Sequence, residues 1–168
     1  MKQETKQQVR QTVADFRLPR YQEIPNMGLY LEQATKYVCE YLEPLGDYTL
    51  TPSMISNYVK KGLIANPVKK QYGRDHIAYL FFIAVAKSVL SLDALTGFIA
   101  LQKRTYPLEI AYDFFCDELE NMLQYTFGLK EEVEAVGTSN TDLKRMLRCV
   151  ILAVANIIYV QHRFAAVD

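Results

Sequence analysis

The residues with the most legible chemistry lie between Thr51 and Arg74. That stretch carries Lys60, Lys61, Lys69, Lys70 and Arg74 without one carboxylate. Clustered cations of this kind hold phosphate, through a field that ignores the net charge of the whole chain. Ser53, Ser56 and Asn57 precede them, small polar side chains that can bond a phosphate oxygen or a base edge, Asn pairing best with adenine. Tyr72 stands two residues after Lys70, where a phenol beside two ammonium groups would add a phosphate donor. The plain alternative is solvation, with lysines on a wet turn, serines on an outer helix face and a tyrosine that only packs.

No other group of residues carries comparable chemistry. The three cysteines, Cys39, Cys116 and Cys149, are scattered without metal-ligand spacing, which is expected of a reduced, cytoplasmic compartment. His76 and His162 are far apart in the chain and form no ligand cluster. Glu109, Asp113, Asp117 and Glu120 recur at helical spacing but lack the Glu-x-x-His pattern of helical carboxylate metal sites, so a solvated face is the simpler reading. No glycine-rich phosphate loop or nucleophile elbow is present. The expectation is no enzyme, no cofactor and no metal.

The elements that must position the basic stretch follow from local signals. Thr51 is a good N-cap, Pro52 suits the first helical position, and Gly62 suits the left-handed residue past a helix end. Within that short helix Ile55, Tyr58 and Val59 should face the core, turning Ser53, Ser56, Asn57 and Lys60 outward. Residues 63–72 contain Pro67 and are too short for a helix, so they read as a hairpin that presents Lys69 and Lys70. Apolar periodicity predicts helices over residues 29–42, with Leu31, Ala34, Val38 and Tyr41 on one stripe, and over 74–90. Further helices are expected at 93–103 and from Pro107 to Gly128, the latter with Ile110, Phe114, Leu119, Met122 and Leu123 apolar. After a polar loop at 137–141, where Ser139 and Asp142 suggest a cap, a last helix carries Leu143, Met146, Leu147, Val150, Ile151, Val154, Ile157 and Ile158.

At 168 residues, half of them apolar and about a quarter charged, the composition is globular. The formal net charge is zero, but it conceals a basic segment at 51–74 and an acidic one at 105–135. The first residues lack the apolar core of a signal peptide, and the apolar runs at 78–86 and 149–160 are short for a bilayer, so no membrane association is expected.

The order Gly62-Leu63-Ile64, Lys70-Gln71-Tyr72, an apolar helix from Ile77 and Ser91-Leu92-Asp93 resembles the DNA-binding domain of MerR-type regulators. A longer likeness runs from Leu18-Pro19-Arg20 through Leu29-Tyr30-Leu31-Glu32-Gln33 and residues 50–60 to Pro67-Val68-Lys69-Lys70-Gln71-Tyr72. These strings are similar to a family of Gram-positive bacteria, domain of unknown function 1836. The resemblance implies a recognition helix, a phosphate-gripping wing and two further helices. It departs from MerR regulators at Ser56 and Asn57, where they carry Arg-Tyr, and in lacking their long C-terminal dimerisation helix directly after the core.

The resulting expectation is an all-α protein with a winged helix-turn-helix (MerR-like) core, a small β-wing and a C-terminal helical pair. An N-terminal arm would occupy 1–17, the core 18–103 and the helical subdomain 104–168. The expected function is DNA-binding transcriptional regulation, with helix 51–61 in the major groove of double-stranded DNA and wing 66–74 on phosphate. Ser53, Ser56, Asn57, Lys60, Lys61, Lys69, Lys70, Tyr72 and Arg74 would form the contact set, in a homodimer. The alternatives are a protein-interaction adaptor docking a basic partner on the acidic stripe, and an effector sensor with an aromatic pocket at Phe114, Phe115 and Tyr125.

Overall fold

The computed structural model describes residues 3–133 and 140–166. The order is α1 (Gln3–Asp15), β1 (Leu29–Tyr30), α2 (Leu31–Leu42), α3 (Pro52–Lys60), β2 (Gln71–Tyr72), α4 (Arg74–Ala86), α5 (Leu92–Thr105), α6 (Leu108–Thr126) and α7 (Asp142–Ala165), with 3-10 turns at Tyr21–Glu23 and Glu43–Leu45. The protein is thus mostly helical, with a small antiparallel sheet in which Leu29 pairs with Tyr72 and Tyr30 with Gln71.

α4 is the centre. Ile77, Ala78, Leu80, Phe81, Ile83, Ala84, Val85 and Ala86 are all buried on it, and a helix apolar all round must be enclosed on all sides. α2 covers one side, where the ring of Phe81 stands edge-on to Tyr37 and Tyr41. On another side Phe82 meets Phe98 of α5 and Phe115 of α6, at 5.4 and 5.5 Å. One apolar cluster runs without a break from Val13 to Ile158, across the expected boundary at 103/104.

Three expectations shift. α2 starts at Leu31 because Leu29 and Tyr30 are extended in the sheet; its buried stripe is Ala34, Val38 and Leu42, while Tyr41 is 37 % exposed. α4 stops at Ala86, four residues early, where Val89 and Leu90 both donate their amides to the Ala86 carbonyl and Ser88 Oγ donates to that of Val85. Ile110 and Met146 are exposed rather than core. The N-terminal segment is a docked helix: Val13, Phe16 and Leu18 are buried. α7 is capped by Thr141, whose Oγ1 accepts from the Lys144 amide at 3.4 Å; Ser139 lies outside the described residues. No helix among the described residues is long and apolar enough to cross a membrane.

Candidate nucleic-acid interface

α3 begins and ends where local chemistry places it. Thr51 Oγ1 accepts from the Met54 amide at 3.2 Å. At the other end Gly62, with φ of 76°, lets its own amide reach the Val59 carbonyl (3.0 Å) and the Leu63 amide reach that of Tyr58 (2.9 Å). This double bond to the last carbonyls is the glycine-dependent way to end a helix. Ile55 and Tyr58 are buried, which leaves Ser53, Ser56 and Lys60 exposed, Asn57 half-buried and Lys61 exposed at the C-cap.

The hairpin follows immediately. Val68 and Gln71 exchange both backbone hydrogen bonds, at 3.1 and 2.9 Å, around a two-residue turn made of Lys69 and Lys70. Both lysines are left-handed, with φ of 51° and 63°. A tight hairpin turn with two positive φ values favours Asn-Gly, because a Cβ is costly in both positions. Lys69 and Lys70 are exposed at its tip, so two ammonium groups occupy the places that backbone stability would give to Asn and Gly.

Tyr72 and Arg74 are turned elsewhere. Tyr72 is 5 % exposed, edge-on to the ring of His76 at 5.4 Å, and its burial pushes the phenol pKa up. The Arg74 guanidinium donates from Nε to the Ile24 carbonyl (3.0 Å) and contacts Gln22 through both terminal nitrogens, lying over the Tyr21 ring at 5.4 Å. These two residues build the base of the hairpin. His76 joins them. Its Nδ1 accepts from the Gly73 amide at 3.0 Å, so Nε2 carries the proton it donates to the Asn66 carbonyl at 3.2 Å. That single ring ties the two sides of the hairpin where they leave the body.

The acidic stripe is a clasp. Arg20 donates to Asp117 at 2.7 Å and to both oxygens of Glu120 at 2.6 and 3.1 Å. The Tyr21 amide donates to Asp113 (2.8 Å) and Gln22 Nε2 to Glu109 (2.9 Å). Burial alone would lower the Arg20 pKa, but the hydrogen bond and field of Glu120, aided by Asp117, raise it overall. Beneath the clasp Tyr112 donates its hydroxyl to the Pro19 carbonyl at 2.7 Å. Four successive residues of the N-terminal segment, 19–22, are thus gripped by successive turns of α6. The carboxylates that a basic partner would need already have partners in the chain.

A mostly helical fold in which a short helix and a lysine-tipped hairpin share one core defines the class. The chain belongs to the family described as domain of unknown function 1836, whose model matches residues 19–115. That span starts at the clasped Pro19 and ends on α6, taking in α3, the hairpin and the central helix. No curated protein and no solved structure matches the chain. Among the described residues no group of His, Cys, Asp and Glu is placed to hold a metal ion.

Proposed function

We propose that this protein is a DNA-binding regulator with a MerR-like winged helix-turn-helix core, in which α3 enters the major groove and the 68–71 hairpin grips the adjacent phosphates. The observation that carries the reading is the Lys69-Lys70 turn. Two exposed cations are held in a left-handed backbone that stability disfavours, next to a helix whose outward side shows Ser53, Ser56, Asn57, Lys60 and Lys61. Tyr72 and Arg74 act in this reading as supports of the wing, not as phosphate ligands.

A second copy fits the same reading, since such proteins read paired half-sites. Along α7, residues Met146, Val150, Ala153, Ile157, Val160 and Phe164 recur at alternating spacings of four and three, the repeat of a coiled-coil seam. Met146, Val160 and Phe164 on that stripe are 45 %, 47 % and 71 % exposed.

The test is retention of sheared genomic DNA from the host at near-physiological salt, followed by sequencing. A parallel sample carries Lys60→Ala, Lys61→Ala, Lys69→Ala and Lys70→Ala, all at exposed positions, with a thermal melt to show that it is folded. Enrichment of a few loci by the parent protein, lost in the variant, is expected. Equal recovery of all sequences by both samples refutes the proposal.

A further inference from the structure

Away from the hairpin the molecule contains an apolar cavity that neither the clasp nor the basic face uses. α4, α5, α6 and the first turns of α7 enclose it. The rings of Phe82, Phe98 and Phe115, packed at 5.4 and 5.5 Å, form one wall, and Phe114, Leu143 and Leu147 belong to the others. The cavity holds about 610 Å³ of empty space counted to its open mouth, of which about 60 Å³ admits the centre of a water molecule. Its deep part therefore suits one slim, largely apolar body. Tyr125, grouped with Phe114 and Phe115 by the sequence, is no part of it and is 42 % exposed.

Gln102 interrupts the apolar lining from α5 and is only 8 % exposed. Its Nε2 donates to the Tyr106 carbonyl at 2.8 Å, and its Oε1 accepts from the Tyr79 hydroxyl at 2.7 Å. A carbonyl can only accept, so the amide cannot be turned the other way round. One of its two amide hydrogens is thereby used and the second is left over. A buried N–H without an acceptor is costly, and the surrounding walls are side chains that offer none. Tyr79 has spent its proton on Gln102, and burial pushes its pKa up, so it stays a neutral phenol. Lys144 and Arg148 lie over the Phe114 ring at 4.8 and 5.7 Å, but both already have partners in the chain, Arg148 with Glu118 at 3.1 Å. Nothing in the cavity calls for a charge. What it lacks is one neutral acceptor for one amide hydrogen.

We infer that this cavity binds a small uncharged molecule with one ring and one carbonyl oxygen, the ring against Phe82, Phe98 and Phe115 and the oxygen on the second amide hydrogen of Gln102. A carboxylate would lose its hydration for a single neutral donor and is disfavoured. The inference goes beyond the DNA reading and does not depend on it.

The test titrates acetophenone, and toluene as a counterpart without the oxygen, into the full chain, followed by the methyl and side-chain amide signals in NMR spectra. Acetophenone should shift the methyl signals of Ile99, Leu143 and Leu147 saturably and leave those of Ile55 on α3 in place. It should also move one of the two Gln102 amide protons downfield, which toluene should not do. Gln102→Met, of similar size but without the donor, and Ala111→Leu, which fills the cavity, are titrated alongside after melts show that they are folded. In Gln102→Met acetophenone should bind about fivefold more weakly and toluene as before, the difference that one neutral hydrogen bond of about 1 kcal/mol gives. Ala111→Leu should lose both compounds. No saturable shift up to about 10 mM, well above the roughly 1 mM of a weak specific site, overturns the inference. So does a Gln102→Met change equal for the two compounds, or unchanged binding by folded Ala111→Leu. Should neither variant fold, the Gln102 amide protons of the parent protein decide, and no difference between acetophenone and toluene there overturns the inference.

Discussion

Replacing Lys69 by Asn and Lys70 by Gly separates what the hairpin tip does for folding from what it does for binding. With φ of 51° and 63°, both lysines hold a Cβ where it crowds the following carbonyl. That crowding costs about 1–2 kcal/mol per residue in a left-handed backbone. Glycine at position 70 removes it but gives back about 0.5–1 kcal/mol through greater freedom of the unfolded chain. Asn at position 69 tolerates the left-handed region, and the pair is the preferred sequence for this turn, so the double variant should gain about 1 kcal/mol in all. For a chain of this length that is about 2–4 °C in Tm. The same change removes two cations from the tip, so the dependence of log affinity for DNA on log salt should flatten by about 1.8 if both contact phosphate. Thermal or urea melts read the first quantity, and binding to the retained genomic fragments at several salt concentrations reads the second. A variant that is more stable and binds less tightly, with the flatter slope, is the expected result. A variant less stable than the parent refutes the argument that the lysines are held against backbone preference. An unchanged salt slope refutes their role on phosphate.

Three further outcomes follow from the packing. Arg20→Met removes every side-chain bond between Arg20 and Asp117 or Glu120, and should cost about 2–3 kcal/mol, with new protease cleavage before Pro19 as the detached segment becomes accessible. Unchanged stability would show that the clasp contributes nothing. In Gly28→Ala the new Cβ would lie 2.6 Å from Gln71 Cβ across the sheet, so a loss of about 1–3 kcal/mol is expected; a neutral effect would mean that the strands separate freely. Tyr21, Tyr37, Tyr48, Tyr58, Tyr72, Tyr79 and Tyr112, seven of the twelve tyrosines, have raised pKa values. Tyr21 is pushed up to about 12, first by its hydrogen bond to Asp75. A folded pKa above the unfolded value of 10.0 gives stability that is complete below pH 10 and lost as pH rises through the folded value. Absorbance at 295 nm should therefore show these seven tyrosines ionising only above pH 10; their ionisation at pH 10 in the folded protein would contradict this reasoning.

Local chemistry in the sequence determined α3 and the turn after it. Thr51, Pro52 and Gly62 each act on their own few residues, and the positions of Ile55 and Tyr58 decide which side faces the core without help from distant parts of the chain. The same holds for α5, where Ser91 Oγ accepts from the Ala94 amide as its position before Leu92 suggests. Even the hairpin was legible, because no other short structure fits between Gly62 and an apolar helix. Only the tertiary structure decided which charged and aromatic residues stay free to meet something else. Arg74 and Lys70 look alike in sequence, yet one is spent on Gln22 and Ile24 while the other is exposed on a left-handed turn. The carboxylates of α6 looked like an outer face and proved to hold Arg20, Tyr21 and Gln22 from about ninety to a hundred residues away. A periodic pattern tells which side of a helix a residue occupies. What that side meets is set by packing between distant segments, whose energies no local spacing encodes.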